Sequence, residues 1–228
     1  MHHELFSPRM ILIDVDGTLV DSVPDLAHCV DETLRALGLP ERGARRVRTW
    51  VGNGVERLVK RALTDDMEAE PDATLYARAL PLFLECYARN TARRSRLYPG
   101  VREGLEALKA ERIPLGAVTN KAERFTLPLL QELGIRDYFD IVVSGDTLPR
   151  KKPDPAPLLY AARELGAQPE KSLMVGDSRS DVKAARAAGF AIVCVSYGYN
   201  HGRDIRLEHP DAVIDSLAEL PRLLKAAA

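Results

Sequence analysis

The chain has 228 residues, 46% of them hydrophobic and 29% charged, with a formal net charge of −1. Those proportions belong to an ordinary soluble globular protein that can bury a full core as one large domain or two small ones. The charge balance gives no support to nucleic-acid binding or to adhesion on an anionic membrane, and no run approaches the ~18 uninterrupted apolar residues of a membrane span.

Residues 10–15 are the first predicted strand, and they run directly into Asp14-Val15-Asp16-Gly17-Thr18. Buried strands do not normally finish in paired carboxylates, because each charge must be desolvated and the two repel. A cation between them, or a proton on one of them, relieves both costs. Either arrangement suits chemistry on an anionic group, and oxygen-only ligands favour a hard ion such as magnesium. The same aspartates cut the N-terminal apolar run before it could form a secretory signal, so a cytoplasmic location is expected.

Residues 22–98 carry helical periodicity and almost no strand signal. Ser22-Val23-Pro24-Asp25 reads as a capping box with proline in the first turn, opening a helix through Leu37 that Gly38-Leu39-Pro40 ends. Residues 55–63 and 72–91 supply further helices, the second interrupted or bent near Pro81. The clusters Arg42, Arg45, Arg46, Arg48 and Arg93, Arg94, Arg96 read as solvated helix ends, with contact to an anionic ligand as the alternative.

Beyond residue 98 strands and helices alternate. Strands are expected at 113–118, 140–144, 172–175 and 191–196, with a weaker one at 212–214; helices are expected at 101–110, 122–133, 155–165 and 181–188. Gly134, Gly166 and Gly189 follow three of these helices, where C-terminal glycines belong. The pattern predicts an α/β fold: a Rossmann-like parallel sheet core built from 1–21 and 99–228, with 22–98 as a helical cap domain inserted after the first strand. Such an insert would lie over the carboxyl edge of the sheet, where open α/β sheets bind ligands. The three cysteines, Cys29, Cys86 and Cys194, lie far apart without metal-ligand spacing and read as small apolar side chains in a reducing compartment.

Four signals at strand ends resemble the haloacid-dehalogenase-like phosphatase superfamily: Asp14-Val15-Asp16-Gly17-Thr18, Thr119-Asn120, Lys152 in Lys151-Lys152-Pro153-Asp154-Pro155, and Gly176-Asp177-Ser178-Arg179-Ser180-Asp181. Each alone is weak; their order and placement carry the resemblance, which spans nearly the whole chain. It implies that Asp14 is a nucleophile forming an aspartyl-phosphate and that Asp16 is the general acid and base, roles that their chemistry also fits. It further implies metal ligation by Asp14, Asp177 and the Asp16 backbone carbonyl, and that Thr18 steadies Asp16. Thr119 and the Asn120 backbone amide would donate to a phosphate, and Lys152 would supply a point charge, with Lys151 as the competing lysine. Asp181 reads either as the capping-box partner of Ser178 or as an outer partner of the metal site. Gly17 is open between a required tight exit and an ordinary turn.

The closer resemblance is to bacterial phosphoglycolate phosphatases, through Trp50-Val51-Gly52-Asn53-Gly54, Gly145-Asp146-Thr147-Leu148-Pro149 and Tyr197-Gly198-Tyr199-Asn200-His201-Gly202. It implies magnesium-dependent hydrolysis of 2-phosphoglycolate to glycolate and phosphate. The alternatives are another small phosphoester or a β-phosphoglucomutase-like phosphotransfer. Gly52-Asn53-Gly54 either presents amides to a small carboxylate or is a turn between helices. Trp50 is expected to anchor cap to core, and His201 to be structural or exposed. The expected partner is a small phosphorylated metabolite rather than nucleic acid or membrane, and oligomeric state is not legible.

Overall fold

In the computed structural model, which describes residues 8–225, the apolar runs form one parallel sheet. Its strands are β1 (Met10–Ile13), β4 (Leu115–Val118), β5 (Ile141–Val143), β6 (Ser172–Gly176), β7 (Ala191–Val195) and β8 (Ala212–Ile214). They lie in the order β5-β4-β1-β6-β7-β8, with every neighbouring pair parallel. The connecting helices are α5 (Val101–Ala110), α6 (Glu123–Glu132), α7 (Ala156–Glu164) and α8 (Arg179–Ala188), and α9 (Leu220–Lys225) closes the described chain.

Side-chain alternation along the strands explains why both faces are covered. Ile11 and Ile13 turn to a core shared with Leu105 and Leu108 of α5, Leu129 of α6 and Leu220 of α9. Met10 and Leu12 turn to the opposite core, with Leu158 and Ala161 of α7 and Val182 and Ala185 of α8. Fully burying each large aliphatic side chain contributes about 1.5–3 kcal/mol. After β1 the chain builds β4 and β5 on one side and then crosses to build β6, β7 and β8 on the other. The carboxyl end of β1 is therefore the switch point of the sheet, where adjacent loops part and leave a crevice.

Between β1 and β4 the chain forms a short strand β2 (Val20–Asp21), the helices α1 (Val23–Ala36), α2 (Gly43–Arg48), α3 (Val55–Thr64) and α4 (Ala73–Asn90), and a returning strand β3 (Arg96–Leu97). Strands β2 and β3 pair antiparallel, Val20 with Leu97 and Asp21 with Arg96, so the helical insert enters and leaves through one ribbon. The helices pack around Leu34, Trp50, Leu58, Phe83 and Tyr87, and this cluster also takes in Phe125 and Tyr199 from the sheet side.

Several expectations need correction here. Ser22 makes no capping bond. Asp25, fully buried, accepts instead from the Arg94 amide (2.9 Å), the Ser95 amide (2.8 Å) and the Ser95 hydroxyl (2.7 Å), tying the start of α1 to the exit of α4. A local pattern was overridden by a long-range acceptor role. Helix α4 runs through Pro81 without interruption, and the first arginine cluster forms a helix of its own, α2. Trp50, by contrast, lies in the cluster that the insert shares with Phe125 and Tyr199; its carbonyl accepts from Arg61 Nη1 at 2.6 Å and Arg46 lies over its ring. Cys29 and Cys86, remote in sequence, meet between α1 and α4 with their sulfurs 3.0 Å apart. No helix among the described residues is long and apolar enough to cross a membrane.

Candidate active site

The site forms where the strands of the sheet end. Asp14 follows the last residue of β1, and its amide still donates to Val175 O at 2.9 Å, so the ladder fixes its position. The chain then turns sharply, with Gly17 N–H donating to Val20 O (2.9 Å) and Leu19 N–H to Val15 O (3.0 Å). Gly17 adopts a φ of 90°, and a Cβ there would lie 2.3 Å from Asp177 Oδ2. Both conditions require glycine, so the tight exit is a need of this backbone rather than an ordinary turn.

Asp177 follows the last residue of β6. Thr18 Oγ1 donates to its Oδ1 at 3.0 Å and the Tyr199 amide to its Oδ2 at 2.7 Å. Thr18 thus steadies Asp177, and the expectation that it serves Asp16 is corrected. Lys152 lies in the loop before α7 and is almost completely buried. Its three N–H bonds go to Asp14 Oδ1 (2.9 Å), Asp181 Oδ1 (2.7 Å) and Val118 O (2.7 Å). Lys151, by contrast, is exposed.

Asp14, Asp177 and Asp181 each present an oxygen within 4.8 Å of the others, all buried. Burial, opposed by Lys152 and reinforced by the Asp181 charge, pushes Asp14 up to about 7. Burial, then the charges of Asp181 and Asp14, push Asp177 well above the usual carboxylate range, against the Tyr199 amide and the Thr18 hydroxyl. Lys152 itself is held above its ordinary value: burial disfavours the ammonium, and Asp14 and Asp181 outweigh it. One lysine does not balance three converging carboxylates. The all-oxygen donor set fits a hard divalent cation such as magnesium.

Asp181 takes the capping-box place offered for it and also reaches Lys152. Oδ2 accepts from the Ser178 amide (3.0 Å) and hydroxyl (2.7 Å) at the start of α8, while Oδ1 holds Lys152. Asp16 stands apart from the acidic trio: its Oδ2 pairs with Lys121 at 3.0 Å, and its Oδ1 is buried without a hydrogen-bond partner. A backbone-carbonyl ligand from Asp16 remains compatible with that side-chain placement.

Thr119 continues β4, its amide donating to Val143 O at 3.0 Å, and its hydroxyl oxygen accepts from the Lys121 amide at 3.2 Å. The Asn120 side-chain amide donates to Gly52 O (3.0 Å) in the insert and to Lys152 O (2.9 Å) in the core. Asn120 therefore clasps the Gly52-Asn53-Gly54 loop onto the sheet. Above the polar floor the pocket is walled by Leu26, Val51, Val55 and Leu58 from the insert.

Residues 8–189 match the family model of haloacid dehalogenase-like hydrolases. The chain belongs to that family. A phosphoglycolate phosphatase of Nitrosococcus oceani is 66% identical over 98% of this chain and 100% of its own length. One from Nitrosospira multiformis is 50% identical over 95% of this chain and 96% of its own. Among solved structures, a predicted phosphoglycolate phosphatase from Haemophilus somnus superposes with a TM-score of 0.90 at 38% identity, covering 95% of this chain and 98% of that one.

For this haloacid dehalogenase-like hydrolase the structure gathers Asp14, Asp16, Thr119, Asn120, Lys152 and Asp181 around one pocket, with Asp177 beside it. Sequence reasoning missed three participants. Lys121 is buried between Asp16 and Tyr87 of α4, whose hydroxyl accepts from it at 2.6 Å. Tyr199 receives the Ser22 amide on its hydroxyl (2.8 Å) while its own amide holds Asp177. Gly198 lies so close that a Cβ would meet Asp177 Cβ at 2.1 Å. The available signals were the position of Lys121 directly after Thr119-Asn120 and the glycine between Tyr197 and Tyr199. His201 is half-buried, with Nδ1 2.9 Å from Thr49 O and burial lowering its pKa.

Proposed function

We propose that this hydrolase is a magnesium-dependent phosphatase that converts 2-phosphoglycolate to glycolate and phosphate through an aspartyl-phosphate on Asp14. The observation that carries the reading is a buried carboxylate at the sheet's switch point, paired at 2.9 Å with a lysine that is itself fully engaged. The long match to curated phosphoglycolate phosphatases supports the substrate.

With Asp14 Oδ1 held by Lys152 and by the Val15 amide at 2.7 Å, Oδ2 is the oxygen for attack on phosphorus. As the phosphorus–oxygen bond to the glycolate breaks, Asp16 delivers a proton to the departing oxygen. Thr119, the Asn120 amide and Lys152 stabilise charge on the transferring group. In the second half Asp16 takes a proton from water, which attacks phosphorus, and Asp14 leaves as a carboxylate. A magnesium ion held by Asp14, Asp177 and the Asp16 carbonyl would offset the repulsion between carboxylates and phosphate. The helical insert acts as the cap: its Gly52-Asn53-Gly54 loop meets the short acid, and its apolar wall excludes water.

A panel of small phosphoesters, assayed with magnesium and with chelator, tests the reading. Phosphate release should be fastest from 2-phosphoglycolate and should vanish on chelation. Equal rates across the panel would reject the substrate, and isomerised sugar phosphate without free phosphate would point to a mutase.

A further inference from the structure

Lys121 has no part in the chemistry described so far, yet it is one of the most constrained charges in the protein. It is 5% exposed, it lines the pocket, and it bridges two domains of structure. On one side Nζ lies 3.0 Å from Asp16 Oδ2; on the other it donates to the Tyr87 hydroxyl at 2.6 Å and sits over the Tyr87 ring. Tyr87 is in turn fixed between Phe83 and Phe125, with ring centroids 5.6 Å and 4.9 Å away. Asp16 Oδ1, by contrast, is buried and unpartnered.

A general acid and base must keep one oxygen in a fixed place and free of competing bonds. The asymmetry at Asp16 meets that need: Lys121 occupies Oδ2 and leaves Oδ1 to the substrate or water. We propose that Lys121 is the positioning residue for Asp16, and that Tyr87 of the insert holds Lys121 in place, so that proton transfer depends on the insert being seated. This inference rests on the aspartyl-phosphate reading above. Lys121 does not touch the reacting phosphorus in this role; it acts through Asp16.

The leaving group separates this role from phosphate binding. Nitrophenolate departs from p-nitrophenyl phosphate without needing a proton, so phosphorylation of Asp14 by that ester does not need Asp16, whereas hydrolysis of the phosphoenzyme does. Rapid-quench measurement of nitrophenolate release should therefore show, for Lys121→Met, a first turnover close to that of the unaltered protein. Steady-state kcat should fall by roughly 100-fold and KM should fall with it, leaving kcat/KM nearly unchanged, because only hydrolysis of the phosphoenzyme is slowed. Lys121→Arg should recover much of that loss. Tyr87→Phe, which keeps the ring packing, should lose about 5–10-fold in steady-state kcat while the first turnover is kept.

Parallel loss of the first turnover and the steady state, or a rise in KM without a fall in kcat, would instead make Lys121 a substrate-binding residue and overturn the proposal. Unchanged kinetics in both variants would do the same. If Lys121→Met does not fold, as read by a thermal melt, the Tyr87→Phe measurement decides. Asp16→Asn tests the underlying reading separately: it should keep the first turnover and lose the steady state. Full turnover in that variant would sink the assignment of Asp16 as general acid and base, whatever Lys121 does.

Discussion

Asp177 shows how a single carboxylate can be held in a position that its own charge resists. Burial and the neighbouring Asp181 and Asp14 disfavour its ionised form, while the Thr18 hydroxyl and Tyr199 amide favour it. Glycines at 17 and 198 let the backbone come against it, with no room for a side chain at either place. Gly198→Ala should force Asp177 aside, because its Cβ would fall 2.1 Å from Asp177 Cβ. The expected outcome is a magnesium requirement raised about 10–100-fold, the range seen when the surroundings of a metal ligand are disturbed. A magnesium titration of phosphate release checks it; an unchanged half-saturation would remove Asp177 from the ligand set. Sequence could name Asp177 from its place after a strand, but not these contacts, since Gly198 and Tyr199 reach it across more than twenty residues of chain.

At the level of elements, the ribbon of β2 and β3 and the carboxylate of Asp25 hold both ends of the insert together. Asp25 carries bonds from two consecutive amides and a hydroxyl across about seventy residues of sequence. Asp25→Asn would turn an amide N–H toward donors that need an acceptor. A loss of about 2–3 kcal/mol is expected, the cost of unmaking buried hydrogen bonds to a charged group. Urea denaturation should record it as a lower midpoint with an unchanged slope. The strands and sheet helices were legible because the central apolar runs are buried on both faces and each helix is bounded by glycine or proline. The ribbon was not: two residues per strand are too few for any periodicity. Helix α2 was hidden for a related reason, since Val47 is its only buried residue. The capping-box reading of Ser22 failed because the same residue types that cap a helix also serve as distant acceptors.

For the whole molecule, Asp14 and Asp177 make stability depend on pH. Asp14 binds its proton more tightly in the folded state, at about 7, than at its ordinary value of 3.8. Its contribution is therefore fully present below the lower value and is lost as pH rises through the higher one. In between, stability falls by up to about 1.4 kcal/mol per pH unit for each such proton, and Asp177 acts in the same direction. The chelated protein should melt at progressively lower temperature from about pH 5 to about pH 7, and saturating magnesium should flatten that slope. Calorimetric melts with and without the ion check it; parallel slopes would mean that the cation does not neutralise these carboxylates.

The meeting of Cys29 and Cys86 carries its own consequence. Their sulfurs, 3.0 Å apart, need close by only about an ångström to reach bonding distance. Burial and the neighbouring Cys86 push the Cys29 thiol up, so this thiol stays protonated and oxidation of the pair is slow as well as dependent on the thiol reductants around the protein. Stocks left in air should drift toward a cross-linked form two hydrogens lighter, which makes the storage buffer a variable in any kinetic comparison.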